Sequence, residues 1–268
     1  MSLAEEQHQA EDAASFLAAT ILAEPVTEEE LMSSGHELQE HYACPLCCLP
    51  IALPVTKHSN FESCCMKMVC HGCDLASHQR GMREMCPFCR APTPKSGAAV
   101  LALAQKRVDA KDPFAFQFIA SLYLRGNYGL QQDIPRAIEL WTEAARLGDL
   151  DAHFNLGCLY YYCGEGVEQD NGKAIRHLQH AAIHGHPESR HALGSHEYNN
   201  NGNRELAVRH WMITAKMGLH KSLNAIKDMF IEGHATKAQY AEALKDYQTA
   251  LEETKSPQRE EAKKIQWK

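Results

Sequence analysis

The sequence predicts a mainly helical protein in which a small metal-binding domain is followed by a solenoid of helical hairpins. Nine of the eleven cysteines lie between Cys44 and Cys89, in a segment with few large apolar side chains. From residue 112 onward the chain is rich in Ala and Leu and repeats itself with a period of 37 residues. A period of this length with two amphipathic helices per unit is typical of an α-solenoid.

Residues 1–43 form an acidic N-terminal segment, with ten Asp or Glu side chains and no Lys or Arg. Apolar residues between Phe16 and Leu22 fit one face of a short helix, and Thr27 with Glu30 resembles a capping box that opens a second. The low hydrophobicity and uniform charge of the segment favour a solvated, partly disordered tail.

The cysteines of residues 44–94 are grouped in pairs. Three CxxC pairs and one adjacent pair supply eight thiols, which is enough for two tetrahedral Zn²⁺ ions. About fifty residues cannot bury a sufficient core, so metal binding is expected to supply most of the folding free energy of this segment. The pairs are Cys44 and Cys47, Cys64 and Cys65, Cys70 and Cys73, and Cys86 and Cys89.

A disulfide framework is the competing interpretation of these cysteines, and it requires an oxidising compartment. The N-terminus has neither the basic start nor the apolar core of a secretory signal, and the first Lys or Arg is Lys57. We therefore expect an intracellular protein, cytoplasmic or nuclear, with reduced thiols that bind metal.

Composition excludes two classes of partner. The net charge of −7 gives no concentrated basic face, so we expect no nucleic-acid binding. The chain has no apolar stretch near the ~18 residues that a membrane-spanning helix needs, so we expect no membrane partner.

The repeat region is predicted over residues 112–254, with residues 95–111 as a linker and N-terminal capping helix and residues 255–268 as a charged tail. Successive units begin at Asp112, Asp149 and His186, and the third is four residues shorter. Gly148 and Gly185 keep the 37-residue spacing and suit the position just after a helix. Asp133 and Asp170 suit helix N-caps in the same way and share that spacing.

Two sets of positions in the repeats predict how the helices pack. Small residues at Ala120, Gly157 and Gly194 would let a neighbouring helix approach closely. Trp141, Leu178 and Trp211 occupy one equivalent position and are expected in the core. We expect the histidines of this region, such as His177, His180 and His184, on solvated helix surfaces rather than at a metal site.

The repeats resemble the Sel-one-like repeats, which are relatives of the tetratricopeptide repeat. The resemblance covers about residues 112–218 and rests on strings such as LGCLYYYCGEGVEQDNGKAIRHLQHAAIHG. It implies a solenoid of αα-hairpins acting as an adaptor, with a protein client bound by the repeats.

The cysteine order resembles a RING-type zinc finger. The resemblance implies an interleaved cross-brace, in which Cys44, Cys47, Cys70 and Cys73 hold one zinc while Cys86, Cys89 and the Cys64–Cys65 pair hold the other. The sequence departs from the common pattern at Lys67, where a histidine ligand is usual. Either both adjacent cysteines ligate, which we prefer, or one of them ligates together with His58, His71 or His78.

A RING finger recruits a ubiquitin-conjugating enzyme and holds its thioester-linked ubiquitin ready for attack, which is catalysis by positioning. The resemblance places the contacts with that enzyme at Leu46, Pro87 and Arg90 and implies a ubiquitin-protein ligase. A non-catalytic, zinc-stabilised interaction scaffold stays open as an alternative. A thiol-based redox or metal sensor is the third alternative.

Overall fold

The computed structural model describes residues 26–162 and 166–265, and these residues are mainly helical. The predicted helix at Phe16–Leu22 lies outside the described residues, as does Cys163. None of the helices in the described ranges is both long and apolar enough to cross a membrane. The helices are α1 (Glu28–Ser33), α2 (His71–Gln79), α3 (Gly97–Asp109), α4 (Pro113–Arg125), α5 (Ile134–Arg146), α6 (Leu150–Tyr162), α7 (Asn171–Ile183), α8 (Pro187–His196), α9 (Arg204–Lys216), α10 (His220–Ile231), α11 (Lys237–Glu253) and α12 (Pro257–Lys264).

The contacts between residues divide the chain into two compact units. Among the described residues, one unit comprises those up to Leu31 together with those between Ser96 and Ala181, and the other comprises Met32–Lys95 together with those from Ala182 onward. The cysteine-rich segment therefore belongs to the same unit as helices α8 to α12.

The helices of the first unit begin and end where the repeat pattern predicts. The Asp112 carboxylate accepts a hydrogen bond from Phe114 N, and Pro113 follows at the first helical position of α4, where its missing N–H costs nothing. Asp133 accepts one from Arg136 N at 2.9 Å and so caps α5. Gly148 ends this hairpin at φ +91°, a conformation that glycine adopts without strain. The predicted caps are confirmed.

Close helix approach at the small repeat positions is also confirmed. A Cβ added to Gly157 in α6 would lie 2.9 Å from the Leu178 side chain of α7. Trp141 and Leu178 are only 2% exposed, as expected of core positions. The period of 37 residues therefore reflects one packing unit repeated along the chain.

The second unit continues the hairpins in a shorter form. Gly194 in α8 packs against Trp211 in α9, where a Cβ would lie 2.7 Å from the indole Nε1. In the third repeat, which is four residues shorter than the others, a π-helical turn at Glu197–Asn201 lies between α8 and α9. The region predicted to hold the repeats, residues 112–254, ends with α11, which begins with a capping box between Thr236 and Gln239. It packs on a core that includes Ile226.

The cysteine-rich segment forms a small hairpin followed by one helix. Strands β1 (Ser59–Glu62) and β2 (Lys67–Cys70) pair antiparallel, with Ser59 opposite Cys70. Helix α2 starts directly after β2 and is tied to β1 by a hydrogen bond from Asn60 Nδ2 to Asp74 Oδ2 at 2.9 Å. This hydrogen bond fixes strand β1 and the first turns of α2 relative to each other.

Parts of both predicted tails are ordered and packed, which corrects the sequence interpretation. Within the described part of residues 1–43, Tyr42 is 5% exposed and packs with Leu53 and Leu219. At the other end, residues 255–268 were expected to form a charged tail, but Pro257–Lys264 form α12, which packs against α2. Ser256 caps this helix by accepting a hydrogen bond from Arg259 N at 3.3 Å.

The expectation of solvated histidines is wrong for His177, which is 1% exposed and lies against His153. The repeat register explains the burial, because His177 is 37 residues after the buried Leu140. The equivalent residue of the shortened third repeat is His210, which is also 1% exposed. A histidine has therefore taken a core leucine's position in two of the three repeats.

Candidate metal centre

The first cysteine group joins two segments that are distant in sequence. The sulfurs of Cys44, Cys47, Cys70 and Cys73 all lie within 4.8 Å of one another. The first two flank a tight turn closed by a hydrogen bond from Cys48 N to Cys44 O at 2.8 Å. Cys70 ends β2 and Cys73 lies in the first turn of α2, so the strand-to-helix junction aims both sulfurs at the same point.

The second group joins the hairpin turn to the loop after α2. The sulfurs of Cys64, Cys65, Cys86 and Cys89 all lie within 4.8 Å of one another. Cys64 and Cys65 are in the turn between β1 and β2, which is closed by a hydrogen bond from Cys65 N to Glu62 O at 3.1 Å.

Both groups share a local backbone feature, which is a main-chain N–H directed at a cysteine sulfur. Cys70 N donates to Cys44 Sγ at 3.5 Å, and Cys89 N donates to Cys86 Sγ at 3.5 Å. Hydrogen bonds of this kind stabilise a thiolate over a thiol. The backbone therefore favours the ligand form of these cysteines.

The sulfur spacings fit a tetrahedral ion. Two ligands at the usual Zn–S distance of about 2.3 Å lie about 3.8 Å apart on a tetrahedral centre. The distance from Cys47 Sγ to Cys70 Sγ is 3.9 Å, and from Cys65 Sγ to Cys86 Sγ it is 3.8 Å. The distance from Cys64 Sγ to Cys89 Sγ is shorter, at 3.3 Å. Each tetrad can therefore hold a metal ion.

The pKa values of the thiols indicate that a bound cation is needed to keep all four cysteines of a tetrad ionised. Hydrogen bonds from Cys70 and Cys73 lower the pKa of Cys44, and the same contact with Cys44 raises the pKa of Cys73. Burial, together with the negative charge at Cys86, raises the pKa of Cys65 to about 12. Four such thiols cannot all ionise side by side unless a cation balances their charge.

The structure brings together all eight cysteines of the preferred assignment and none of the alternative histidines. His58 and His71 meet through their backbones, with His71 N donating to His58 O at 3.1 Å. His78 Nε2 lies 3.7 Å from Asp74 Oδ1. Lys67, which stands where a histidine ligand was expected, is exposed on β2, and Cys48 is exposed outside both tetrads.

The three residues predicted to contact a conjugating enzyme differ in exposure. Leu46 is 42% exposed although it is a large apolar residue, and Arg90 is also exposed. Pro87 is buried. Its neighbour Phe88, between the same two cysteines, is 41% exposed.

Arg259 of α12 is a residue at the first tetrad that the sequence interpretation missed. It is 8% exposed, and its Nη2 donates to Cys47 Sγ at 3.3 Å. A signal was present in the sequence, because Ser256 followed by Pro257 is a typical helix start. The charged residues that follow led instead to the prediction of a charged tail over residues 255–268.

Comparison with protein families finds two matches to the Sel1 repeat model, at residues 118–149 and 150–186. These segments are Sel1 repeats. They coincide with the hairpin units built from α4 to α7 in the structure. No RING or other zinc-finger family model matches the chain, and no curated protein matches it.

Three bacterial proteins are among the solved structures to which this chain is similar. A Sel1 repeat protein from Oxalobacter formigenes is 20% identical, with a TM-score of 0.52 over 68% of this chain and 71% of that chain. The protective antigen c5321 of uropathogenic Escherichia coli is 18% identical, with a TM-score of 0.47 over 71% of this chain and 42% of that one. The immunity protein Pa5087 from Pseudomonas aeruginosa is 18% identical, with a TM-score of 0.43 over 68% and 66%. The first of these supports the assignment of a Sel1-type helical fold.

Proposed function

We propose that this protein is a RING-type ubiquitin-protein ligase in which two Zn²⁺ ions fold the finger. The finger recruits a ubiquitin-conjugating enzyme, and the Sel1 repeats bind the protein client. The observation that carries the proposal is the interleaving of the cysteine pairs. The first pair meets the third and the second meets the fourth, whereas two independent zinc knuckles would each use neighbouring pairs.

Zinc is proposed as the metal because every donor is a cysteine sulfur and the spacing suits a tetrahedral ion. Iron also accepts four thiolates in this geometry, so the two metals must be distinguished by elemental analysis. Iron in the purified protein would overturn the zinc assignment and leave the tetrads in place.

Recruitment of a conjugating enzyme is supported by the position of Leu46. This side chain lies between two ligands of one tetrad, so bound metal would hold it in place while 42% of it faces solvent. A fixed, exposed apolar side chain favours protein–protein binding because it gains from burial and loses little conformational freedom when the partner binds. Arg90 directly follows a ligand of the second tetrad and is exposed, available to donate hydrogen bonds to carbonyls of the bound partner.

The test is auto-ubiquitination of the full chain with a panel of conjugating enzymes. Leu46→Ala is expected to lower the rate at least about tenfold, equivalent to about 1.4 kcal/mol of lost binding. Ile231→Ala is the matched control, since it removes a side chain that is 70% exposed on α10. Arg90→Ala is expected to lower the rate of ubiquitin transfer and to weaken binding of the conjugating enzyme, because it removes the hydrogen bonds that Arg90 is proposed to donate to that partner.

The absence of ubiquitin chains with every conjugating enzyme would refute the ligase proposal. It would favour a non-catalytic, zinc-stabilised interaction scaffold, for which the burial of Pro87 is the supporting observation. Two tightly held zinc ions per chain under reducing conditions would argue against the thiol-based sensor, because ligated thiolates are not free to react.

A further inference from the structure

The C-terminal helix α12 reaches the first cysteine tetrad through the side chain of Arg259. The Nη2 group donates to Cys47 Sγ at 3.3 Å and to Leu49 O at 3.0 Å. The Nη1 group donates to Pro50 O and, at 2.7 Å, to Thr254 O. A single guanidinium therefore ties the start of α12 to the loop that follows the first CxxC pair.

The backbone of α12 fits against the second CxxC pair. Gly72 lies between Cys70 and Cys73, and a Cβ added there would lie 2.6 Å from Arg259 N and 2.8 Å from Gln258 C. Both are backbone atoms, which cannot move aside as a flexible side chain can. The other end of α2 is joined to α12 by a hydrogen bond from Gln79 Nε2 to Glu261 Oε1 at 2.8 Å. Helix α12 is therefore seated along the length of α2.

The charge of the site gives this contact a chemical role. One divalent cation bound by four thiolates leaves a net charge of −2, which is costly to hold in a partly buried position. A guanidinium that donates a hydrogen bond to one of the sulfurs offsets part of this negative charge. It also withdraws electron density from that sulfur. It also fixes the loop that carries Cys47, so this ligand is held ready for the metal.

We propose that Arg259 is a positioning residue of the first metal site, and that docking of α12 slows the loss of metal from that site. The inference rests on the proposed binding of metal by the tetrads. On this proposal helix α12 contributes to the first metal site, although about two hundred residues of sequence separate it from the first CxxC pair.

The experiment measures zinc transfer from the full-length protein to the chromogenic chelator 4-(2-pyridylazo)resorcinol under reducing conditions. Arg259→Met is expected to accelerate release from one of the two zinc ions about 10–100-fold, the usual effect of removing a residue that orients a ligand. Arg259→Lys keeps the charge without the planar fork and is expected to restore part of the loss. Lys264→Met is the matched control, because it removes an exposed cation from the same helix.

Two further variants separate the site from the fold. Cys64→Ser disables the second tetrad, and the acceleration by Arg259→Met must persist in that background. Gly72→Ala leaves Arg259 intact but pushes the backbone of α12 away, and it is expected to accelerate release as well. In the Co²⁺-substituted protein, Arg259→Met is expected to shift the sulfur-to-cobalt charge-transfer band to longer wavelength, because the sulfur loses a hydrogen bond. A loss of global stability that leaves the same four sulfurs bound to the metal would not produce that shift.

The outcomes separate this inference from the function on which it rests. A wild-type protein without bound metal would refute the metal sites themselves. A wild-type protein with two zinc ions, together with release rates for Arg259→Met that match wild type and Lys264→Met, would refute the role of Arg259 alone. An Arg259→Met protein isolated with only the second site filled would support the proposal in its strongest form.

Discussion

The buried histidine at His210 gives a quantitative test of the repeat packing. Its side chain is 1% exposed, and both ring nitrogens are buried without a hydrogen-bond partner. The equivalent position of the first hairpin holds Leu140, which is 6% exposed. His210→Leu therefore restores an apolar residue of similar volume to a position that elsewhere accepts one.

The expected magnitude follows from proton linkage. Burial, followed by the positive charges of Arg190 and Arg209, lowers the pKa of His210 from about 6.5 to about 3. Because the pKa is lower in the folded state, protonation of His210 has almost no effect on the free energy of unfolding above about pH 6.5. As the pH falls from there toward 3, it lowers that free energy. At pH 5 the unfolded state binds a proton that the folded state does not, which costs about 2 kcal/mol. Burial of the unpaired imidazole costs about 1–3 kcal/mol more at any pH.

Urea denaturation of the wild type and His210→Leu at pH 7.5 and pH 5 measures both terms. The variant is expected to be more stable by about 1–3 kcal/mol at pH 7.5, and its advantage is expected to grow by about 2 kcal/mol at pH 5. Comparing the two proteins at each pH cancels the other titrating groups, including the cysteine tetrads. An advantage that does not change with pH would refute the argument from burial.

Three other predictions concern packing, capping and metal. Gly194→Ala is expected to destabilise the protein by about 1–3 kcal/mol in thermal unfolding, because its Cβ would meet the Trp211 indole at 2.7 Å. Gly157→Ala is expected to cost a similar amount, because its Cβ would lie 2.9 Å from Leu178 Cγ, in a side chain that is 2% exposed, and 3.2 Å from the backbone oxygen of Ala174; an unchanged unfolding midpoint would contradict this reasoning. Asp133→Ala is expected to cost about 1 kcal/mol through the lost cap of α5, while Asp133→Asn retains most of it. Chelation of the metal is expected to remove hydrogen-exchange protection from residues 44–94 and from α12 and to leave α4 to α6 protected; continued protection of α12 would be the contrary result.

The helical repeats could be predicted from sequence because each structural requirement, such as a helix start or a helix end, favours a particular residue type. Asp133 and Gly148 mark a helix start and a helix end, and the spacing of 37 residues repeats such marks from unit to unit. The same repeat register also predicts which side chains are buried, even where the residue type suggests exposure. His177 and His210 align with Leu140, and alignment is a better guide to burial here than the usual polarity of histidine.

The metal ligands could be proposed from spacing, whereas their surroundings could not. Chain order and the resemblance to a cross-brace led to the two tetrads, including the preference for Cys64 and Cys65 over a histidine. The contact of Arg259 with Cys47 joins residues 212 positions apart, and no local pattern records such a contact. In the finger sequence, the glycine at position 72 is consistent with this contact, because a Cβ there would clash with the backbone of α12.

Metal stoichiometry of the full-length protein tests the central claim most directly. Native mass spectrometry combined with elemental analysis is predicted to find two zinc ions per chain, held without added metal under reducing conditions. Cys64→Ser and Cys65→Ser are each predicted to reduce this number to one, while Cys48→Ser keeps two. A wild-type chain that holds no metal, or single variants of Cys64 and Cys65 that both retain two tightly held zinc ions, would contradict the assignment of these eight cysteines to two metal sites.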